Sequence, residues 1–276
     1  MNSIDQLPMQ FLPYAEKIAS TKTSSINIEL QQENSALLWK SRLGGIPYLP
    51  LNVDYPKSKL TNRPLQFLAQ INFSELPTIQ NFPSKGILQF YLDMTSMGLG
   101  VDESLDQVQF NHRVLYFPEV IEDDTQLQKS EDLKVLSEID ENEIEFWMTP
   151  SQLKFNLMDQ YITFFDYRFA PLLFDREQVA ISDDYDDLMY AYVNYQQPYT
   201  EQFQIEGGHR IGGYPNFLHS TDHRIEFAIK DYILLLQLDT DVGLEWGDSG
   251  IAHWFIHPED LVNNNFSKVV FLWTCH

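Results

Sequence analysis

The tetrapeptide Gly247-Asp248-Ser249-Gly250 sets a serine in the surroundings used by acyl-transfer nucleophiles, so Ser249 is the first candidate for chemistry. A serine attacks only when a histidine takes its proton and an acid orients that histidine. No accompanying motif supplies those two partners. In a second, matching stretch of the chain the residue opposite Ser249 is Lys85. The expectation is a turn that feeds a strand, with Ser249 structural.

Metal chemistry has three candidate sources. His219 and His223 share i, i+4 spacing, as do His253 and His257. That spacing suits zinc on a helix, but His253 and His257 lie in the alternating stretch IAHWFIH. On a strand, four residues separate them by roughly 13 Å, too far to share one ion. His219 and His223 flank a turn with no cysteine or HExxH partner. The third source is LDTDVGLEWGD, which gathers Asp239, Asp241, Glu245 and Asp248 into one loop. Hard cations need such oxygen density, so Asp239, Asp241 and Asp248 are weak candidate ligands. The plainer reading is that these aspartates cap loop amides. Adjacent residues of an extended chain point apart, which argues against a Cys275-His276 dyad. Neither a phosphate-cradling GxxxxGK[ST] loop nor a dinucleotide fingerprint occurs, and no cofactor is expected.

The elements that carry these residues recur. Arg42-Leu43-Gly44-Gly45-Ile46-Pro47 returns as Arg210-Ile211-Gly212-Gly213-Tyr214-Pro215, 168 residues on. FLAQIN with Gln70 and Asn72 matches LLLQLD with Gln237 at an offset of 167, and GILQFYLD from Gly86 matches GIAHWFIH from Gly250 at 164. Three ordered matches predict two copies of one β unit, related by a pseudo-two-fold. The bounded apolar runs and the aromatic, β-branched alternation both read as strands. Gly44, Gly45, Gly212 and Gly213 are expected where the backbone turns through positive φ, with Pro47 and Pro215 closing the turns. Helices are expected at PMQFLPYAEKIAS, at SDDYDDLMYAYVNY with Ser182 as N-cap, and at SEDLKVLSEI from Ser130. The fold class is therefore α+β, predominantly antiparallel, with internally duplicated units and a few peripheral helices. Residues 1–276 form one domain, with repeat one at about 25–120, an acidic insertion at about 119–145 and repeat two at about 150–276.

The 276 residues carry 40 acidic and 18 basic side chains, a net charge of −22. Such a field repels nucleic acid and favours a monomer through self-repulsion. One cysteine, Cys275, permits no internal disulfide, which suits a reducing compartment. The first ten residues lack a basic segment followed by an apolar one, so no secretory leader is expected. No apolar run approaches a membrane span. The expected location is cytoplasmic.

LGGIPYLP, PLQFLAQINFSELP, GILQFYLD, IGGYPNFLH, LLLQLDTD and EWGDSGIAHWFI, in this order, resemble the YwqG family of bacterial cytoplasmic proteins of unassigned function. The resemblance spans nearly the whole chain. It implies a duplicated β-rich fold and distant kinship with the eukaryotic programmed-cell-death-two proteins, which chaperone a ribosomal protein. It also implies a role in toxin-immunity settings. Two classes of function stand. One is a non-enzymatic acidic module that binds a basic protein, as a chaperone or immunity-type partner. The other is a divalent-cation-dependent hydrolase using Asp239, Asp241 and Asp248. The binding candidates are Gln70, Asn72, Gln237, Asp239, Asp241, Trp246 and Asp248.

Overall fold

Long apolar runs broken by Gly-Gly-x-Pro turns leave the chain little choice but strands. In the computed structural model these are β1 Thr23–Gln32, β2 Arg42–Leu43, β3 Gln66–Asn72, β4 Ile87–Leu92, β5 His112–Phe117 and β6 Trp147–Met148, followed by β7 Ser151–Gln160, β8 His209–Gly212, β9 Ile233–Asp239, β10 Leu244–Glu245, β11 Ile251–Ile256 and β12 Val270–Thr274. The structure describes residues 4–32, 37–94, 101, 104–130, 133, 147–180, 182–204, 207–218 and 222–276. The helix expected from Ser130, most of the acidic insertion at 119–145 and His219 fall outside the described residues.

Among the described residues, ten strands form one sheet in the order β12-β11-β9-β8-β1-β7-β2-β3-β4-β5, and β6 pairs separately with β10. All pairings are antiparallel. The centre is the long β1–β7 ladder, from Thr23 opposite Gln160 to Gln32 opposite Ser151. The edges nearly meet. His112 Nε2 at the start of β5 lies 3.2 Å from the Val269 carbonyl, just before β12, and its ring packs on Phe271. The sheet thus curls into a nearly closed barrel, which removes most of its exposed edge.

Every residue of β3, β4 and β11 is buried, so both faces of these strands are covered, Gln70, Gln89 and His253 included. The main core includes Ile71, Phe90, Trp246, Trp254 and Phe271. Phe90 of β4 and Trp254 of β11 meet edge-on there, with ring centroids 5.2 Å apart. A second, aromatic cluster of Phe11, Phe164, Phe169, Tyr199 and Phe203 supports the helices.

Those helices are short: α1 Ala15–Ala19, α2 Phe169–Phe174, α3 Tyr185–Ala191, α4 Gln197–Gln202, α5 His223–Glu226 and α6 Pro258–Val262. Two expectations are corrected. The N-terminal helix is a 3-10 turn, Met9–Tyr14, followed by α1, because Pro13 cannot donate to the helical ladder. The N-cap of α3 is Asp184, whose Oδ1 accepts the Asp186 amide at 2.9 Å; the Ser182 hydroxyl instead donates to Asp187. A π-helical turn, Tyr192–Gln196, joins α3 to α4. Among the described residues no helix is long and apolar enough to cross a membrane.

Candidate functional site

Arg42 and Arg210 enter the sheet from β2 and β8 and are almost fully buried. Neither sits opposite an acid across its ladder; both reach backbone carbonyls. Arg42 Nη2 donates to Leu37 at 2.7 Å and Nη1 to Ile46 at 3.5 Å. Arg210 Nη2 donates to Gly207 and Nη1 to Tyr214 at 3.4 Å. Burial pushes the Arg210 pKa down to about 10, with Asp239 opposing that shift. The arginines hold shut the turns that follow them. Within those turns Gly44, Gly45, Gly212 and Gly213 have φ of 61, 74, 68 and 73°. Pro47 and Pro215 are buried, and the Pro215 carbonyl accepts the Thr163 hydroxyl at 2.9 Å.

The glutamines opposite these arginines are used up in the same manner. Gln70 pairs with Arg42 and Gln237 with Arg210. Gln70 Oε1 accepts the Tyr48 amide and Gln237 Oε1 accepts the Asn216 amide, both at 2.9 Å. Gln70 Nε2 donates to the Leu38 and Lys40 carbonyls, and Gln237 Nε2 to that of Gly208. Asn72 caps the turn Phe73–Glu75 and donates to Trp39. Trp246 is fully buried against Trp254 and Phe271. The structure thus places Gln70, Asn72, Gln237 and Trp246 inside the protein, away from any ligand arriving from solvent.

The acidic loop is a hairpin that closes on itself. The Asp241 and Leu244 amides and carbonyls exchange two hydrogen bonds, and Leu244-Glu245 pairs with β6. Thr240 Oγ1 donates to the Gly250 carbonyl at 2.9 Å and accepts the Trp246 amide at 3.1 Å. Asp239 Oδ2 accepts the Gly208 amide at 2.6 Å and Oδ1 accepts the Thr240 amide at 2.8 Å. Asp248 lies in the next turn, where its carbonyl accepts the His276 amide at 3.1 Å. Two of the three carboxylates face one imidazole. His209 Nδ1 accepts the Asp239 amide at 3.0 Å, which leaves the proton on Nε2, 3.4 Å from Asp241 Oδ2. Burial lowers the His209 pKa, against the pull of Asp241 and Asp239, so the ring is neutral at pH 7. Among the described residues no three His, Cys, Asp or Glu side chains are grouped to hold a metal ion. Ser249 is exposed at φ 51°, and no histidine among the described residues bonds its hydroxyl.

The strongest electrostatic constellation was missed in the sequence. Asp166 and Asp222 have fully buried side chains, and Arg224 is almost as enclosed. Arg224 Nη2 bridges Asp222 Oδ2 at 2.6 Å and Asp166 Oδ2 at 2.8 Å, while Arg168 Nη2 meets Asp166 Oδ2 at 2.6 Å. Burial acts to raise the Asp166 pKa, but the bonds and charges of Arg168 and Arg224 prevail and hold it below the usual carboxylate range. Arg224 also lies over the rings of Tyr167 and Phe255. The available signal was a repeated Asp-x-Arg tripeptide, Asp166-Tyr167-Arg168 and Asp222-His223-Arg224. In each, the aspartate accepts the backbone amide and Nε of the arginine two residues on. The network pins the loop before α2 to α5 and has no reactive group poised over a cavity.

A groove of about 400 Å³ lies between the loop of Ile79–Phe82 and the strand ends at Lys22, Asp159 and Gly213. Its charged pair, Lys22 with Asp159 at 2.8 Å, is already joined. Among curated proteins no match to the chain is found. The model of the domain of unknown function DUF1963 matches residues 41–275, which include both Gly-Gly turns, the Asp-x-Arg pair and the acidic hairpin; the chain belongs to that family.

Proposed function

We propose that this chain is a non-enzymatic acidic module that binds a basic protein, as a chaperone or immunity-type partner. The observation that carries the reading is the net charge of −22 on a β-rich body. A field of that size steers cationic partners in and keeps polyanions out. The polar groups that could have done chemistry are spent on the chain's own backbone. Gln70 and Gln237 clamp turns, Asp239 binds loop amides, and no histidine among the described residues bonds the Ser249 hydroxyl. The hydrolase reading on Asp239, Asp241 and Asp248 gains no support, because Asp239 is engaged and Asp248 sits in a separate turn.

The same proposal covers the architecture and the setting. The equal Arg and Gln pairings, the matched glycine φ values and a sheet order that reads alike outward from β1–β7 support two copies of one unit related by a pseudo-two-fold. They fit kinship with the YwqG and programmed-cell-death-two proteins. A lone cysteine supports the cytoplasm. The test is affinity capture from the native cell in rising salt, with lysozyme as a generic cation. One basic protein retained after lysozyme elutes is the expected result. Recovery only of proteins that co-elute with lysozyme would reduce the acidity to a solvated surface.

A further inference from the structure

The helical stretch that begins at α3 leaves its apolar side chains in water. Tyr185 is 73% exposed, Leu188 45%, Met189 39%, Tyr190 58%, Tyr192 43% and Val193 51%. Within this span only Ala191 is buried. Isolated exposed apolar residues need no explanation, but six in nine consecutive positions make a patch of the kind that marks docking. The neighbouring turn adds Met9 and Leu12, 82% and 55% exposed, and is tied to the helix by Gln10 Nε2 donating to the Asn194 carbonyl at 2.8 Å. The platform is held from below. Tyr195 packs on Phe11 and Phe174, and Tyr199 is buried among Phe11, Phe164 and Phe169. The π-helical turn at Tyr192–Gln196 falls within this patch, and such turns recur at functional positions.

The charge around the patch selects its occupant. Residues 175–202 contain seven acidic side chains and one basic, and that one, Arg176, lies over the Phe174 ring. A second copy of this chain would bring the same acids face to face on a body of net charge −22, so self-association is opposed. An anionic lipid surface is repelled likewise. A cationic segment gains twice, from the carboxylates and from tyrosine faces that accept Lys or Arg. Tyrosine also anchors interfaces at small entropic cost.

We propose that Tyr185–Val193, flanked by Met9 and Leu12 and rimmed by Asp183 and Asp186, is the docking surface for a basic amphipathic segment of the partner: an apolar anchor bordered by Lys or Arg. This rests on the binding-module reading and locates it. The partner's anchor covers Tyr185, Leu188 and Met189, and its cations face the aspartates. The apolar contact sets the lifetime of the complex and the carboxylates set the encounter rate.

The probes are an 18-residue Leu/Lys peptide patterned as an amphipathic helix and a polylysine of equal charge. Affinity is measured by calorimetry at 0.15 and 0.5 M NaCl, and amide hydrogen exchange maps the contact. The patterned peptide is expected to bind at least tenfold tighter than polylysine and to protect residues 185–193. Tyr185→Ser/Leu188→Ser, both exposed, should keep its melting temperature and lose that tenfold. Asp183→Asn/Asp186→Asn should slow association several-fold and flatten its salt dependence. If the serine variant folds and binds the patterned peptide as the parent does, the docking surface is wrong while the module reading stands. Protection of 185–193 without peptide, growing with protein concentration, would make the occupant a second copy and overturn the proposal. Equal, weak binding of both probes by the parent overturns the surface and the module reading together.

Discussion

His112 and His253 are fully enclosed, and burial drives both pKa values down to about 3. Arg113 and Lys59 add to the effect at His112. At His253 a hydrogen bond to the Asn216 backbone opposes it, while His223, Arg210 and Arg224 reinforce it. An unfolded histidine titrates near 6.5, so between about 3 and 6.5 the unfolded chain holds more protons than the folded one. Stability is therefore full above pH 6.5 and falls as the solution is acidified, by about 2 kcal/mol per histidine at pH 5. Urea unfolding at pH 7 and pH 5 measures this. On β4, Gln89 does with Nε2 what His253 does on β11: it donates to a turn carbonyl, that of Tyr48, at 2.6 Å. His253→Gln should accordingly change stability at pH 7 by less than about 1 kcal/mol and remove about half of the histidine-linked acid loss. An unaltered pH slope would count against this account. A fluorophosphonate probe should leave Ser249 unlabelled, since no histidine among the described residues bonds its hydroxyl; mass-spectrometric detection of a Ser249 adduct would revive the hydrolase. That a turn at Ser249 feeds β11 was readable from Gly247 and Gly250 on either side of it. The burial of Gln70, Gln237 and Trp246 was not, because a buried clamp and an exposed ligand group have the same letters.

Elements built on turns show a different balance. A backbone at positive φ leaves a glycine in the sequence, so both Gly-Gly turns could be placed from the letters alone. Gly213 is the more demanding of the inner pair: at φ 73° an added Cβ would come 2.7 Å from Ser25 Cβ and into the Gln160 carboxamide. Gly213→Val should cost about 1–3 kcal/mol from backbone strain, with the crowding in addition, seen as a lowered melting temperature. The corresponding Gly45→Val meets φ 74° and should show the strain as well. The Asp-x-Arg network was invisible as a network, because Asp166 and Arg224 are 58 residues apart and no periodicity links a loop to a one-turn helix. Arg224→Met leaves Asp222 buried without its arginine, with Arg168 still on Asp166, and should destabilise by about 3–5 kcal/mol in urea unfolding. A loss under 1 kcal/mol would show that water replaces the guanidinium. The split of the N-terminal helix at Pro13 and the shift of the α3 cap from Ser182 to Asp184 are local contests that tertiary packing decided.

At the scale of the molecule, the N-terminal and C-terminal parts of the chain exchange strands. β1 lies between β7 and β8, and β7 lies between β1 and β2, so each is paired on both sides with strands from the other part of the chain. Residues 1–130 and 147–276 expressed apart should each lack a cooperative melt, and mixing them should restore one by circular dichroism. Two independently melting halves would contradict the pairing. The matched motifs were legible in the letters, but this exchange was not, since matched motifs say nothing of which stretch pairs with which. The exchange also has a cost in time. Asn27 sits opposite Arg210 in the finished sheet. On a ribosome adding about 5–20 residues per second, the arginine emerges about 10–40 s after the asparagine. For most of that interval β7 is unmade as well, and the apolar side chains Ile26 and Ile28 of β1 are open to the wrong strand. Charge gives no early protection, since residues 1–100 hold seven acidic and eight basic side chains; the carboxylate surplus arises beyond residue 100, and only then does mutual repulsion hold unfinished copies apart.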